Sequence, residues 1–236
     1  IHVVGVGGPG MSAIAQVLIE MGHIVSGSDI KESETIDRLR EIGVVVNIGH
    51  DAGVVHQCDA VTASSAIPAK NIELLEALNA GISVLTRAEM LAAICRQKLS
   101  VGIAGTHGKT TISSMVAHIL KTAHKVGACF VGGITSNYES NFLLGNGDLS
   151  VMEADEYDKS FLKLNPDSIV LTSIDPDHLD IYGTKENLHN SFLEFSKLLK
   201  NQNKFDCVII CASEAEHINL SYSLNISHFK ITELVF

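Results

Sequence analysis

Residues 102–111 read GIAGTHGKTT. The apolar run LSVGIAG leads into them and the amphipathic segment KTTISSMVAHILKTA leads out. A strand, a glycine-rich turn and a helix in that order bring backbone N–H groups and a helix N-terminus to one point, and that point favours phosphate. The strict pattern G-x-x-x-x-G-K-[ST] fails by one residue, because Ile103 stands where its first glycine belongs. Gly105, Thr106, His107, Gly108, Lys109, Thr110 and Thr111 remain. Gly105 and Gly108 can take backbone conformations closed to other residues. Lys109 is expected to reach the β and γ oxygens of a nucleoside triphosphate, and the Thr110 hydroxyl to ligate Mg²⁺.

A magnesium ion needs further oxygen ligands. MEADEYD offers Glu153, Asp155, Glu156 and Asp158 where an apolar run ends. Strand alternation puts Glu153 and Asp155 on one face and Glu156 on the other. In SIDPDHLDIYG, His178 and Asp180 also follow an apolar run. All three pieces therefore fall at carboxyl ends of strands, where open α/β sheets bind ligands.

Outward from this centre, short apolar runs alternate with helical patterns. IHVVGVG reads as a buried strand and MSAIAQVLIEMG as a helix that stops at Gly22. HIVSGSD is a strand, and SETIDRLREIG a helix with Ser33 or Thr35 as N-cap and Gly43 as its stop. VVVNIG, AVTASSAI and ISVLT are short strands, with NIELLEALNAG a helix between the last two. After Ser100 come the strand LSVGIAG and its helix, the strands GDLSVMEAD and DSIVLTSI, the helix ENLHNSFLEFSKLLK and the strand FDCVIICA. This rhythm implies an α/β fold with parallel sheets. The division is expected within Arg96–Ser100, giving domains 1–98 and 99–236. The tail from Glu216 shows no clear pattern.

Gly5-Val6-Gly7-Gly8-Pro9-Gly10 satisfies G-x-G-x-x-G at Gly5, Gly7 and Gly10, after a strand and before a helix. Asp29 ends the next strand, where a dinucleotide fold places its ribose-binding carboxylate. On residues alone this suggests NAD, or simply a tight strand–helix turn. Ser12 could add a hydroxyl to a phosphate.

The formal net charge of -10 argues against a nucleic-acid surface or an anionic membrane surface, which need clustered Lys and Arg. No apolar run reaches the roughly 18–20 residues that span a bilayer. The chain opens on Ile1 rather than Met, so targeting is not readable from it. Cys58, Cys95, Cys129, Cys207 and Cys211 read as reduced, mostly buried thiols. CVIIC lies in an apolar run unsuited to zinc.

Together, GTHGKTT, EADEYD and DPDHLDIYG resemble the central ATPase domain of the Mur ligases, the ATP-dependent amino-acid ligases of peptidoglycan synthesis. GVGGPGMSAIAQVL, GSD, SSAI and RAEML resemble the branch that adds the first amino acid, L-alanine, to UDP-N-acetylmuramate. The resemblance spans nearly all of 1–200 and thins across the tail. It implies a Rossmann-like first domain that holds UDP rather than NAD, then a P-loop-type ATPase domain. A third domain, which takes part in binding ATP and the amino acid, would lie beyond this chain. By resemblance Gly7, Gly8, Gly10, Met11 and Ser12 face the diphosphate. Asp29, His50, Ser64 and Ser65 surround the uridine or sugar, and Arg87 lies near the substrate. Thr110 and Glu153 hold one metal ion and His178 helps hold a second, the metal being Mg²⁺ or alternatively Mn²⁺. Lys109, His178 and Glu153 serve catalysis, and Thr106 and His107 approach the substrate carboxylate. The resemblance also implies a cytoplasmic enzyme. It departs from the family at Pro9, usually aliphatic and here unable to donate an N–H. It departs also in NSFLEFSK, where sister ligases carry a carbamylated lysine and only Lys197 or Glu194 is at hand. A murein tripeptide recycling ligase and an NAD-binding oxidoreductase stay open as alternatives.

Overall fold

The computed structural model describes residues 1–199, except 97, 158 and 178, together with the strand Cys207–Ile210. The chain divides between Leu91 and Ala92 into two compact units.

The first unit opens with β1 (His2–Val4), buried throughout, as expected of a strand covered on both faces of a parallel sheet. α1 (Pro9–Glu20) follows, with Pro9 in its first turn. The missing N–H costs nothing there, since that position has no intrahelical acceptor. Met11, Ile14, Ala15, Val17 and Leu18 bury the inner face of α1. β2 (Ser26–Asp29), α2 (Glu34–Glu41), β3 (Val45–Ile48), β4 (Ala60–Ala63), α3 (Ile72–Asn79) and β5 (Ser83–Thr86) complete the alternation. A 3₁₀ turn at Ala52–Gln57 interrupts it. The Ser33 side chain accepts the Ile36 N–H and caps α2 as expected. The strands form a parallel sheet in the order β3-β2-β1-β4-β5, with a core of Val4, Val55, Val61, Leu74 and Ala77 on one face.

α4 (Arg87–Cys95) carries the chain onward. In the second unit β6 (Leu99–Ala104) leads through the glycine loop into α5 (Lys109–Thr122). β7 (Val126–Thr135) and β8 (Ser140–Leu144) follow as an antiparallel pair that the sequence reading did not list. β9 (Leu149–Glu153), β10 (Ser168–Leu171), α6 (Leu179–Tyr182), α7 (Lys185–Ser196) and β11 (Cys207–Ile210) complete a sheet ordered β11-β10-β6-β9-β7-β8. α5 packs Ala117 onto Ile103, Val126, Cys129 and Val151. On α7, Phe192 and Phe195 enclose Phe161, with ring centroids 5.7 and 4.9 Å away. Gly102 in β6 admits this cluster, because a Cβ there would stand 3.1 Å from the Phe195 ring. The tail from Glu216 lies outside the described residues.

Candidate functional site

In the second unit the loop after β6 turns sharply. Gly105 has φ +133°, and a Cβ on it would stand 2.8 Å from the Ser173 backbone nitrogen. No other residue fits that conformation so close to a neighbouring chain. The loop is braced by the segment that follows β10. Thr172 N–H donates to the Ala104 carbonyl, Thr106 N–H donates to the Ser173 carbonyl, and the Ser173 hydroxyl accepts the His107 N–H at 2.9 Å. Gly108, at φ +80°, caps α5. The first helical N–H to bond back is that of Ile112, to the Gly108 carbonyl. The N–H groups before it open onto the exposed mouth of the loop as a helix N-terminus.

Two side-chain pairs furnish this mouth. The Thr110 hydroxyl donates to Glu153 Oε1 at 2.9 Å, and Gly132 N–H donates to Oε2 of the same carboxylate at 2.6 Å. A Cβ on Gly132 would stand 2.4 Å from Glu153 Oε1, and one on Gly133 would stand 3.3 Å from Thr110 Cγ2. The glycine pair of β7 thus leaves room for this hydroxyl–carboxylate pair. The Lys109 ammonium donates to the Gly105 carbonyl at 2.7 Å and to Glu156 at 2.9 Å. Glu156 is wholly buried. Its carbonyl accepts the Tyr182 hydroxyl and the Lys159 N–H, so its backbone is fixed.

In the first unit the loop after β1 makes its own turn. Gly8 N–H donates to the Gly5 carbonyl, and Gly7 N–H donates to Asp29 Oδ2 at 2.8 Å. Arg87 lies over the start of α1, where a Cβ on Gly10 would stand 3.1 Å from its Cδ. Gly49 N–H donates to the Asp29 carbonyl, which sets His50 at the carboxyl edge of β2 and β3. Ser64 lies beside Gly5, and its hydroxyl accepts the Ala66 N–H. Ser65 is exposed.

Glu73, in the first turn of α3, is wholly buried beneath His50. Its Oε2 accepts the Ser28 hydroxyl at 2.7 Å and lies 2.9 Å from His50 Nδ1. Its Oε1 accepts the Asp51 N–H at 3.2 Å and faces His2 Nε2 at 3.6 Å. Burial pushes this carboxyl upward. Its partners His2, Ser28, the Asp51 N–H and His50 overcome that and hold it at about 2.

Residues 1–99 match the Mur ligase family catalytic domain, and residues 103–232 match the Mur ligase middle domain. The chain belongs to the Mur ligase family. Over 195 residues it is 50% identical to the UDP-N-acetylmuramate–L-alanine ligase of Anaeromyxobacter dehalogenans, covering 83% of this chain and 43% of that protein. It superposes on the UDP-N-acetylmuramate–alanine ligase of Thermotoga maritima with a TM-score of 0.76 at 30% identity, over 93% of this chain and 50% of that one. The UDP-N-acetylmuramate:L-alanyl-γ-D-glutamyl-meso-diaminopimelate ligase of Neisseria meningitides gives a TM-score of 0.80 at 24% identity, over 94% of this chain and 74% of that one, and so shares the fold. The chain spans less than half the length of the curated relatives it matches.

Within this Mur ligase chain the structure brings together Gly105, Gly108, Lys109, Thr110 and Glu153. It also gathers Gly8, Gly10 and Arg87 around the first loop. His178 lies outside the described residues. Four of the expected site residues have groups engaged within the protein. The Met11 side chain is 1% exposed and supplies part of the apolar inner face of α1. The Ser12 hydroxyl turns back to the Pro9 carbonyl, as serines in a first helical turn do. The Gly7 N–H is taken by Asp29. The Thr106 hydroxyl is buried and paired with Ser173 Oγ at 2.8 Å, which makes it a brace of the loop.

The donor set suits a hard cation. A threonine hydroxyl beside a carboxylate offers oxygen ligands and leaves positions for phosphate oxygens and water, as Mg²⁺ prefers. Among the described residues no three His, Cys, Asp or Glu side chains gather as a metal cluster. Thr172, Ser173 and Glu73 were not singled out as functional from sequence. Glu156 did stand in the flagged acidic run, but its pairing with Lys109 depends on how the chain turns after β9.

Proposed function

We propose that the protein containing this chain joins L-alanine to the carboxylate of UDP-N-acetylmuramate, with ATP converted to ADP and phosphate. The observation that carries this reading is the Lys109–Glu156 and Thr110–Glu153 pairing at the mouth of a glycine loop capping α5. The name borne by the relative 50% identical to this chain supplies the substrates. The sugar carboxylate attacks the γ-phosphoryl group, giving an acyl phosphate and ADP. The amine of alanine then attacks the acyl carbon, phosphate leaves, and the amine gives up a proton as the amide forms.

The difficulty is bringing two anions together. Lys109 places a positive charge at the mouth, and the N–H groups that begin α5 orient the phosphates. Thr110 and Glu153 would hold one Mg²⁺, and by family resemblance His178 would help hold a second; the ions supply charge neutralisation when bound. Thr111 and His107 are exposed at the same mouth and are assigned to nucleotide and carboxylate contacts.

The first unit is read as the UDP-sugar holder. Gly8, Gly10 and Arg87 face the diphosphate, and Asp29, His50, Ser64 and Ser65 the uridine or sugar. An NAD-dependent oxidoreductase would leave the second glycine loop without a use. A tripeptide-recycling ligase is not favoured, since its solved representative is 24% identical against 50% for the alanine-adding relative. A cytoplasmic setting fits nucleotide substrates, and no helix among the described residues is long and apolar enough to cross a membrane. Calorimetric titration of this chain with UDP-N-acetylmuramate and, separately, NAD tests the first unit. Binding of the UDP-sugar alone is expected, and binding of NAD alone overturns the reading. Phosphate release by the full-length protein, with L-alanine set against the tripeptide, tests the acceptor.

A further inference from the structure

Glu73 has no place in the function proposed above, yet it is the buried carboxylate on which the polar groups of the first unit converge. Its backbone is fixed at the start of α3, where the Asn71 side chain accepts the N–H groups of Glu73 and Leu74. The helix N-terminus favours its negative charge. An ionised carboxylate only accepts hydrogen bonds. The nitrogen 2.9 Å from it, His50 Nδ1, therefore carries the proton. In the neutral ring Nε2 is then left with a bare lone pair. His50 is half-buried at the carboxyl edge of β2 and β3. With a diphosphate at the start of α1 and a ribose beside Asp29, a nucleobase falls toward that edge.

We propose that Glu73 is a positioning residue for nucleobase choice: it fixes the His50 tautomer so that Nε2 accepts a hydrogen bond from the imide N–H of a uracil ring. Cytosine has a lone pair at the equivalent nitrogen and meets Nε2 lone pair to lone pair. The inference rests on the reading of the first unit as a holder of UDP.

Glu73→Gln inverts this arrangement without changing its shape. The Asp51 N–H is a backbone donor that cannot turn, so it draws the glutamine oxygen to its side. The glutamine NH₂ then faces His50 Nδ1, which must become the acceptor, and Nε2 gains the proton. Binding of UDP and of CDP to the full-length protein is measured by calorimetry, beside the ring-nitrogen NMR correlations of His50 without ligand. The wild type is expected to show Nδ1–H and to prefer UDP. Glu73→Gln is expected to show Nε2–H and to bind UDP about tenfold more weakly, the usual effect of one mismatched buried hydrogen bond. Its affinity for CDP is expected to hold or rise. A carboxylate that merely supports the fold would weaken both ligands together. An unchanged UDP-to-CDP ratio in a folded Glu73→Gln protein overturns the proposal, as does a wild-type His50 without a proton on Nδ1. Should Glu73→Gln not fold, His50→Ala carries the same comparison: loss of the base preference supports the proposal and its retention overturns it. Failure of the wild type to bind UDP overturns the UDP reading itself, and this inference with it.

Discussion

At the scale of the residue, Glu73 ties charge to stability. Its carboxyl sits at about 2 in the folded chain against an ordinary value of 4.5, so the folded state holds the ionised form more tightly than the unfolded state does. Its contribution is fully present above about pH 4.5 and is lost as the pH falls toward 2. The difference is worth at most about 3 kcal/mol. Denaturant melts across that window should show wild-type stability falling more steeply than that of Glu73→Gln; parallel curves would show that the carboxylate is not held as described. Glu153 is proposed as a metal ligand instead. Glu153→Ala leaves the Thr110 hydroxyl and the Gly132 N–H without their shared acceptor. The full-length enzyme should then need roughly tenfold or more Mg²⁺ for half-maximal phosphate release, or lose activity altogether. An unchanged Mg²⁺ dependence would remove Glu153 from the metal shell. Buried thiols complete this scale. Burial pushes Cys95 up to about 12 and Cys129 up to about 11, so both should resist alkylation near neutral pH until the chain unfolds, as thiol counting with and without denaturant would show.

At the scale of the element, β7 does more than extend the sheet. Its Gly132 donates to Glu153 from a spot where a Cβ would overlap the carboxylate. Gly132→Ala should displace Glu153 and weaken Mg²⁺ and nucleotide binding several-fold, while the melting temperature moves little because the position is exposed. A titration with Mg²⁺ and ATP that matched wild type would show that the glycine is incidental. β7 also marks where sequence ceased to be legible. β1 was readable because burial on both faces leaves apolar residues in succession, Val3 and Val4, and α2 was readable through its Ser33 cap and Gly43 stop. The glycine loops were readable from local order, strand then glycines then helix. The β7–β8 pairing was not, since VGGIT carries no strand-like alternation and its partner is set by long-range register. Glu156 was legible as one acid among four, but its pairing with Lys109 required knowing that the chain folds back after β9. The inward turn of the Met11 and Ser12 side chains was not legible for a related reason: a motif names positions along a loop, and helix geometry decides which side chains turn inward.

At the scale of the whole molecule, each unit contains the side chains that furnish its own loop. Lys109 and its partners Gly105 and Glu156 all lie in the second unit. Asp29, His50, Glu73 and Arg87 all lie in the first. The two binding tasks should therefore separate under mutation. Lys109→Ala removes the ammonium paired with Glu156 at the α5 loop and leaves Glu156 buried without the charge that compensates its own. Burying an uncompensated carboxylate is costly, so part of the effect will be on stability. Lys109→Met, which fills similar volume, together with Lys109→Met/Glu156→Gln, which also removes the stranded charge, separates stability from chemistry. All three variants should lose phosphate release by a factor of about a thousand or more, as expected when charge at a transferring phosphoryl group is no longer neutralised. The double variant should recover the melting temperature without recovering turnover. UDP-N-acetylmuramate affinity, measured by calorimetry on the same preparations, should stay within about twofold of wild type, because the hydrogen bonds described for Lys109 involve no residue of the first unit. Parallel loss of UDP-sugar binding and turnover in the stable double variant would mean that the substrate is gripped from both units at once, and the division of labour between the two glycine loops would have to be abandoned.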